Sequence, residues 1–292
     1  MSEIRRVGVL GAGLMGGGIA QVAAAAGHET VVRDVSEAAL GRARAAMEKS
    51  LGRFVDKGQL AAAERDATLA RLAFTTELGA VADADLVIEA VTEDPALKAG
   101  LYRELHAAAP EATIFASNTS SLSVVSLAAA SGRPDRFVGL HFFNPVPLMA
   151  LVEVVRAVTT SDATFERALA FARRLGKEPV VARDGSGFIV NRLLVPYLLD
   201  AVRALEQGTG SVADMDRAMM LGCGHPMGPF TLLDFVGLDT VVKIGEIMFD
   251  EFREPRFAPP PLLRRMVAAG WTGRKGGRGF YDYSVEPPVV AS

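Results

Sequence analysis

An α/β fold, doubly wound around a mostly parallel sheet and followed by a second, all-helical C-terminal domain, is the architecture this sequence predicts. Three observations carry the prediction. Short apolar runs alternate with longer helical patterns through roughly the first 180 residues, the signature of a sheet covered by helices on both faces. The first such alternation, Val7 to Asp34, holds a glycine-rich turn between strand and helix. Beyond about residue 184 the short apolar runs cease, and nearly every segment reads as helix.

Val7 to Leu10 is the first buried strand, and it stops at the turn GAGLMG, Gly11 to Gly16. An Ala-rich helix follows, then a second apolar run that ends at the acid Asp34. Each part has a physical role in holding a dinucleotide. Gly11 permits the sharp turn, Gly13 lets the backbone approach a pyrophosphate, and Gly16 lets the helix pack close to the strand. The free N–H groups at the helix N-terminus face the phosphates. Asp34 can take both ribose hydroxyls of an adenosine, which favours NAD over its 2′-phosphorylated form. Its neighbour Arg33 is the residue that could reach a 2′-phosphate instead. The combination is Rossmann-like, and NAD is the expected cofactor.

Glu37 to Lys57 then reads as a long helix and Ala61 to Leu72 as a shorter one. DLVIEAV (Asp85 to Val91) is a buried parallel strand, and Pro95 to Ala109 the next helix, with Pro95 in its first turn. Thr113 to Asn118 is a strand, Leu122 to Ala130 a helix, and Arg136 to Phe143 another strand. That strand ends at Asn144-Pro145-Val146-Pro147, where proline blocks further pairing. Leu151 to Val158, a helix from Ala163 to Leu175 and Pro179 to Ala182 finish this half. The domain boundary falls near Asp184-Gly185-Ser186-Gly187, which gives domains of residues 1–184 and 185–292. The second contains helices from Phe188 to Glu206, Val212 to Leu221, Phe230 to Phe252 with a break near Gly237, and Leu262 to Ala269. An apolar face at Leu193, Leu194, Leu198, Leu199 and Val202 suits either dimerisation or packing within the domain. The last residues, PPVVAS, are expected to fray.

Composition narrows the function classes. Half the residues are hydrophobic and 22% are charged, as in an ordinary soluble globular chain with an ample core. A net charge of −3 gives no reason to expect nucleic acid or a membrane surface as partner. No apolar run reaches the ~18 residues of a spanning helix. MSEIRR runs straight into the first strand, leaving no room for a signal or transit peptide, so a cytoplasmic location is expected. The single cysteine, Cys223, excludes an internal disulfide and is expected as a small buried or half-buried residue. Histidines, cysteine and carboxylates do not cluster at ligand spacing, so no metal is expected.

Ligands of a doubly wound sheet bind outside the carboxyl ends of its strands. Three polar sets lie at such ends: Asp34; Ser117 to Ser121; and His141 with Asn144. Of the four histidines, His28, His106 and His225 read as structural or solvated. His141 stands at the end of a buried strand, with the carboxylate Glu153 on the following one. A carboxylate there would orient the ring, select its tautomer and stabilise the imidazolium formed on taking a proton. Spacing alone leaves open a core histidine bonded to a backbone carbonyl. On the first long helix, Ser50, Arg53 and Lys57 recur at i, i+3 and i+7, so one face presents all three. Such a face is either a solvated stripe or a holder of phosphates, and Gly52 weakens the helix locally.

These residues carry a family resemblance. SNTSSL (Ser117 to Leu122), GLHFFNPVPLMALVEV (Gly139 to Val154), GFIVNRLLVPYLLDA (Gly187 to Ala201), HPMGPF (His225 to Phe230), VGLDT (Val236 to Thr240) and GRGFYDY (Gly277 to Tyr283) recur in this order and spacing. Together they resemble the short, monofunctional L-3-hydroxyacyl-CoA dehydrogenases, in particular bacterial 3-hydroxybutyryl-CoA dehydrogenases. The resemblance implies NAD-dependent interconversion of an (S)-3-hydroxyacyl-CoA and a 3-oxoacyl-CoA. It implies that His141 is the general base, with Glu153 its electrostatic partner. Ser120 and Asn191 would hold the substrate's oxygen atoms, Asn191 from the helical domain. On the cofactor side the matching positions are Gly11, Gly13, Leu14, Met15, Gly16, Asp34, Glu93, Lys98, Ser120, Asn144 and Lys275. Without the resemblance, Glu93, Lys98 and Lys275 would read as surface charges. Ser50 and Lys57 match the family's contacts to CoA, and the family implies a homodimer through the helical domain. Two other readings are a dehydrogenase of free hydroxy or sugar acids, which would resemble HPVNP rather than HFFNP, and a non-catalytic NAD-binding sensor. A sensor would have little need of a general base.

Overall fold

The computed structural model describes residues 3–291. Its first strand, β1 (Arg6–Leu10), is followed by α1 (Leu14–Ala25), β2 (Glu29–Arg33) and α2 (Glu37–Asp56). Ser36 starts α2 by accepting a hydrogen bond from the Ala39 N–H at 3.2 Å, and Glu37 sits in the first turn, where a negative charge suits the helix dipole. Then come α3 (Ala62–Ala70), β3 (Leu72–Thr75), the short α4 (Gly79–Ala82) and β4 (Leu86–Glu89). Helix α5 (Pro95–Ala108) is capped by Asp94, whose Oδ1 accepts from the Ala96 and Leu97 N–H groups. The remaining elements of this unit are β5 (Ile114–Ser117), α6 (Val124–Ala130), β6 (Phe137–Phe142), β7 (Leu151–Arg156), α7 (Asp162–Arg174) and β8 (Glu178–Arg183).

The eight strands form one sheet in the order β3-β2-β1-β4-β5-β6-β7-β8. Every neighbouring pair is parallel except β6 with β7, which run antiparallel. The doubly wound, mostly parallel architecture expected from the alternation is therefore present, with one reversed pair. The central strands bury both faces with a period of two. Val9, Ile88 and Ala116 face the layer containing α1, α2 and α7, and Val87 and Phe115 the layer containing α4, α5 and α6. Strand β3 corrects the expectation that a helix continues to Leu72. Helix α3 stops at Ala70, and Leu72 already pairs with Thr30 of β2. Four residues are too few to show an alternation of their own.

The chain divides into two compact units, the first ending at Phe188 and the second beginning at Ile189. Asp184 belongs to the first, because its carboxylate accepts the Val124 and Val125 N–H groups at the start of α6, at 2.8 and 2.7 Å. The Ser186 hydroxyl donates to the Ser121 carbonyl, which ties the following turn to the same unit.

The second unit holds α8 (Val190–Glu206), α9 (Val212–Cys223), α10 (Pro229–Val236), α11 (Leu238–Phe252) and α12 (Pro261–Ala268). Gly237, at φ +100°, makes the break between α10 and α11. Val195, Leu198, Leu199 and Val202 form the buried stripe of α8, and Leu193 lies off it at 71% exposure. Two carboxylates organise the C-terminal stretch. Asp216 caps α10 through the Phe230 and Thr231 N–H groups and accepts the Tyr281 hydroxyl. Asp234 accepts the Phe280 and Tyr281 N–H groups and the Tyr283 hydroxyl.

Two further expectations are corrected here. Val289–Val290 do not fray but form β10, paired antiparallel with β9 (Tyr281–Asp282), and Ala291 N–H donates to the Phe280 carbonyl. Ser292, the last residue of that expectation, lies outside the described residues. Cys223 is exposed, because α9 buries only Val212 and Asp216 and ends one residue later at Gly224. Among the described residues, no helix is long and apolar enough to cross a membrane.

His28, between α1 and β2, is buried against the Phe171 ring of α7, with ring centroids 5.2 Å apart. Burial and the nearby Arg174 charge hold its pKa below the ordinary 6.5, against the opposing pull of Glu3 and the Ile4 and Arg5 carbonyls. The unfolded chain thus takes up a proton as pH falls through 6.5 while the folded chain does not. Stability is lost over that range by up to about 1.4 kcal/mol per pH unit, until the folded value is reached. His28→Leu is expected to flatten the fall in urea-unfolding free energy below pH 6.5 relative to wild type.

Candidate active site

Sheet order reverses between β1 and β4, the point at which open α/β sheets hold ligands. The turn after β1 is shaped by contact. Gly11 adopts φ +99°, and a Cβ on it would lie 2.7 Å from the Ala90 carbonyl at the end of β4. A Cβ on Gly16 would lie 1.9 Å from the Gly11 carbonyl, so only glycine lets α1 start here. Gly13, by contrast, faces open space and caps α1 without any side-chain acceptor. The first-turn N–H groups are therefore available to a phosphate. The Asp34 carboxylate stands beside them, accepting Ala12 N–H at 2.8 Å and Ser36 N–H at 3.0 Å. Arg33 Nε donates to the Thr76 carbonyl at 3.1 Å. A cavity of about 750 Å³ opens from this turn. Gly13, Leu14 and Asp34 line it, as do Asn144 and the Ser50, Arg53 and Lys57 face of α2, which stays helical through Gly52. Uncapped N–H groups, an acid at the end of β2 and a cavity of this size fit an adenine dinucleotide. Met15 lies beside them, half-buried on α1.

At the end of β6, the reversed pairing sets His141 directly opposite Glu153 of β7. Nδ1 of His141 lies 2.6 Å from Oε2 of Glu153, whose side chain is fully buried. A carboxylate can only accept, so Nδ1 carries the proton, and in the neutral imidazole Nε2 is the nitrogen that keeps its lone pair. The ring is flanked by Phe143 and Phe188, with centroids 4.5 and 5.6 Å away. Such a pair can take a proton at Nε2 while the carboxylate offsets the resulting charge. The alternative left open by spacing, a ring bonded to a backbone carbonyl at Nδ1, is not what the structure shows.

The loop after β5 is fastened between these two regions. Asn118 Oδ1 accepts the Phe142 N–H, joining the loop to the end of β6. Glu93 accepts the Ser120 N–H at 3.0 Å and the Thr119 hydroxyl, which fixes the backbone that presents Ser120. Lys98 Nζ lies 2.7 Å from Glu93 and 2.9 Å from Glu89. Burial alone would raise the Glu93 pKa. The Lys98 charge and the hydrogen bonds from Lys98, Thr119 and Ser120 outweigh it and hold the carboxyl below its ordinary value. Glu93 and Lys98 are thus not the surface charges that the bare sequence suggests. Lys98 is 1% exposed because it shares the inward face of α5 with Leu101, Tyr102 and Leu105, at i+3, i+4 and i+7. That spacing was the available signal.

Asn191 lies in the first turn of α8, in the second unit. Lys275, in a 3-10 turn at Arg274–Gly276, is exposed and paired with Asp239 at 2.7 Å. Two buried groups escaped the sequence reading altogether. One is Glu89, at the end of β4. The other is Lys177, which follows α7 and donates to the Val146 and Met149 carbonyls at 2.6 and 2.7 Å. Its ammonium pins the irregular loop between β6 and β7, and burial lowers its pKa. Among the described residues, no group of histidine, cysteine and acidic side chains could hold a metal.

Comparison with known proteins decides the family. Residues 6–185 match the model of the 3-hydroxyacyl-CoA dehydrogenase NAD binding domain, and residues 187–283 that of the C-terminal domain of the same enzymes. The chain belongs to the 3-hydroxyacyl-CoA dehydrogenase family. A 3-hydroxybutyryl-CoA dehydrogenase of Mycobacterium tuberculosis is 51% identical over 96% of this chain and 99% of its own length. The mitochondrial hydroxyacyl-coenzyme A dehydrogenase of Sus scrofa is 49% identical over 96% of this chain and 91% of its own. The crystal structure of (S)-3-hydroxybutyryl-CoA dehydrogenase from Ralstonia eutropha superposes with a TM-score of 0.93 at 44% identity, covering 97% and 100% of the two chains. This dehydrogenase is an NAD-dependent oxidoreductase, and the half with the glycine turn is its NAD-binding domain.

Lys177 supplies a test of how the dehydrogenase holds its site loop. Lys177→Met keeps the stem but leaves two carbonyls without their donor. At about 1–3 kcal/mol for an unsatisfied buried group, and with Val146 the buried one of the two acceptor residues, the variant is expected to lose about 1–3 kcal/mol in urea unfolding.

Proposed function

We propose that this dehydrogenase interconverts (S)-3-hydroxyacyl-CoA and 3-oxoacyl-CoA, with 3-hydroxybutyryl-CoA and acetoacetyl-CoA as its short-chain pair. The observation that carries the reading is the 2.6 Å contact between His141 Nδ1 and Glu153, which leaves Nε2 as a base at the strand end. Bound NAD supplies the hydride acceptor. His141 Nε2 removes the proton of the 3-hydroxyl as the C3–H bond breaks, and Glu153 stabilises the imidazolium. In the reductive direction the imidazolium returns that proton to the 3-oxo oxygen. Phe143 and Phe188 restrict the ring to one orientation. Ser120 and Asn191 are assigned to the substrate's oxygen atoms.

The cofactor would lie along Gly11, Gly13, Leu14, Met15 and Gly16, with its adenosine ribose on Asp34. The Asp34 carboxylate repels a 2′-phosphate, and Arg33 is engaged by Thr76 rather than poised to attract one. Glu93, Lys98, Ser120, Asn144 and Lys275 complete the cofactor set. Ser50 and Lys57, with Arg53 between them, are assigned to the CoA phosphates, because they line the cavity that also holds Asp34. The first unit binds NAD, and the helical unit contributes to the substrate site and to a homodimer. The location is cytoplasmic.

Following NADH oxidation at 340 nm over a series of 3-oxoacyl-CoA chain lengths tests activity and length preference together. Turnover is expected with acetoacetyl-CoA, and with NADH in clear preference to NADPH. Its absence beside activity on free hydroxy acids would reject the substrate class. His141→Ala is expected to lower kcat by about 10²–10⁴ with NADH affinity retained. Glu153→Gln is expected to lower kcat by about 10–100-fold with little change in KM, since the lost interaction develops in the transition state. Near-normal turnover in either variant counts against the pair.

A further inference from the structure

Gln21, on α1, is a buried polar side chain that none of the roles above uses. Only 5% of it is exposed, and among the described residues its amide has no hydrogen-bond partner. The amide is not sealed in either. The fully enclosed polar atoms without a partner belong to other residues, so what Gln21 exposes opens into the cavity it lines. A buried amide that bonds nothing is costly, and one that faces a cavity points to a partner supplied by a ligand. Its place in the cavity narrows that ligand. Gln21 follows Gly13 by eight residues, about 12 Å along α1 at 1.5 Å per residue. Asp34, beside the Ala12 N–H, marks the opposite end. Gly17, one turn before Gln21 on the same face, packs on α2: a Cβ there would lie 3.7 Å from Met47 Cε and 4.0 Å from Ala43 Cβ. The two helices follow neighbouring parallel strands and run in the same direction, so Gln21 comes level with the stretch from Met47 to Ser50.

That end of the cavity joins apolar walls to cations. Ala43, Met47, Phe54, Val146 and Leu148 supply the walls, and Arg53 and Lys57 continue the Ser50 face of α2. A carboxamide donates and accepts side by side. Adenine offers the complement, an exocyclic amino group next to a ring nitrogen, and glutamine pairs with that edge through two hydrogen bonds. The flat faces of the base suit the apolar walls. In CoA a single ribose joins the adenine to both the 3′-phosphate and the pyrophosphate. A base in this slot therefore leaves its phosphates within a sugar's width, on the side of Ser50, Arg53 and Lys57. We propose that Gln21 reads the adenine ring of the acyl-CoA and gives the site its preference for a nucleotide-bearing thioester. The inference rests on the reading of Ser50 and Lys57 as holders of the CoA phosphates.

The experiment compares full-length wild type with Gln21→Leu, which keeps the length of the side chain and removes both polar atoms. Steady-state kinetics at saturating NADH are measured with acetoacetyl-CoA and with acetoacetyl-pantetheine, which lacks the nucleotide. NADH affinity is read by fluorescence without substrate, and folding by urea unfolding. Gln21→Leu is expected to raise KM for acetoacetyl-CoA about tenfold, the loss of one bidentate pair. With the base remote from the reacting carbon, kcat should stay within about twofold. KM for acetoacetyl-pantetheine and Kd for NADH are expected to change less than about twofold on the same grounds. The urea midpoint should hold or rise, since an apolar side chain replaces an unbonded amide. A purely structural glutamine gives the opposite pattern, a lower midpoint with no difference between the two thioesters. That pattern, an unchanged KM for acetoacetyl-CoA, an equal rise for both thioesters, or a weakening of NADH alone overturns the proposal. Equal rises would place the contact on the pantetheine arm, and a change in NADH alone would place it on the adenine of the dinucleotide. Should Gln21→Leu not fold, Gln21→Met must give the same pattern. A wild type that turns over both thioesters with equal KM overturns the phosphate site on α2, and this inference with it. One that turns over neither overturns the substrate reading itself.

Discussion

The antiparallel register between β6 and β7 is the constraint on which the proposed chemistry depends. In an otherwise parallel sheet, a helical crossover would separate the two strands. Reversal lets a short loop return the chain, so that residues 12 apart face each other across one ladder. Cross-strand partners lie about 4.5–5.5 Å apart, which is what an imidazole and a carboxylate need to meet. Slipping the register by one residue would turn His141 and Glu153 to opposite faces of the sheet. The loop that sets this register is irregular, and proline at positions 145 and 147 keeps it from forming a tight hairpin. Lys177 supplies the donors that its carbonyls lack.

A similar logic runs along the other strand ends. A parallel sheet leaves its C-terminal loops without ladder partners, and those loops are buried enough that their polar groups must be satisfied locally. Here the satisfaction comes from side chains fixed on regular elements: Glu89 on β4, Lys98 on α5, and Asn118 just past β5. Glu89 holds Val91 of the following loop together with Ser117 and Lys98, Lys98 holds Glu93 of the loop before α5, and Asn118 ties its loop to the end of β6. The result is a set of loops with defined backbone positions at the place where the sheet order reverses. The turn at Gly11 to Gly16 is the exception, leaving the N–H groups at the start of α1 without a side-chain acceptor. That local deficit is what suits it to an anion such as a phosphate.

Legibility in the sequence followed the physical range of each signal. The strand–helix alternation and the glycine turn are local patterns, and the structure places those elements within a few residues of their expected bounds. His141 and Glu153 were legible because both lie on long apolar runs whose ends mark the sheet edge. Strand β3 was not, since four residues carry too little periodicity and Leu72 continues the helical pattern before it. Lys98 and Glu89 were hidden for another reason: charge alone suggests solvent, and only tertiary packing brings one ammonium between two acids. The burial of Lys98 could have been inferred from its place on the apolar stripe of α5. That of Glu89 could have been inferred from its position inside the apolar run DLVIEAV. Cys223 ran the other way, a residue type that usually packs inside left exposed at the end of a helix with few buried positions. Val289 and Val290 depended on a partner strand, Tyr281–Asp282, too short to register as a strand at all.

Buried charge is costly, and a protein that keeps it must hold it in fixed geometry. An apolar replacement for the Glu89, Lys98 and Glu93 cluster would pack the same volume without the desolvation cost. Such a replacement would leave Ser117, Thr119 and the Ser120 N–H without acceptors, and the loop that presents Ser120 would lose its fixed position. Specificity of position therefore comes at the expense of stability in this part of the sheet. The same reasoning explains why the acid opposite His141 is fully buried rather than solvated. In a low-dielectric setting an unscreened carboxylate acts strongly on the imidazole it touches, and that contact offsets part of its own desolvation cost. A site built this way resists small displacements, because moving any one donor weakens the stabilisation of a buried charge.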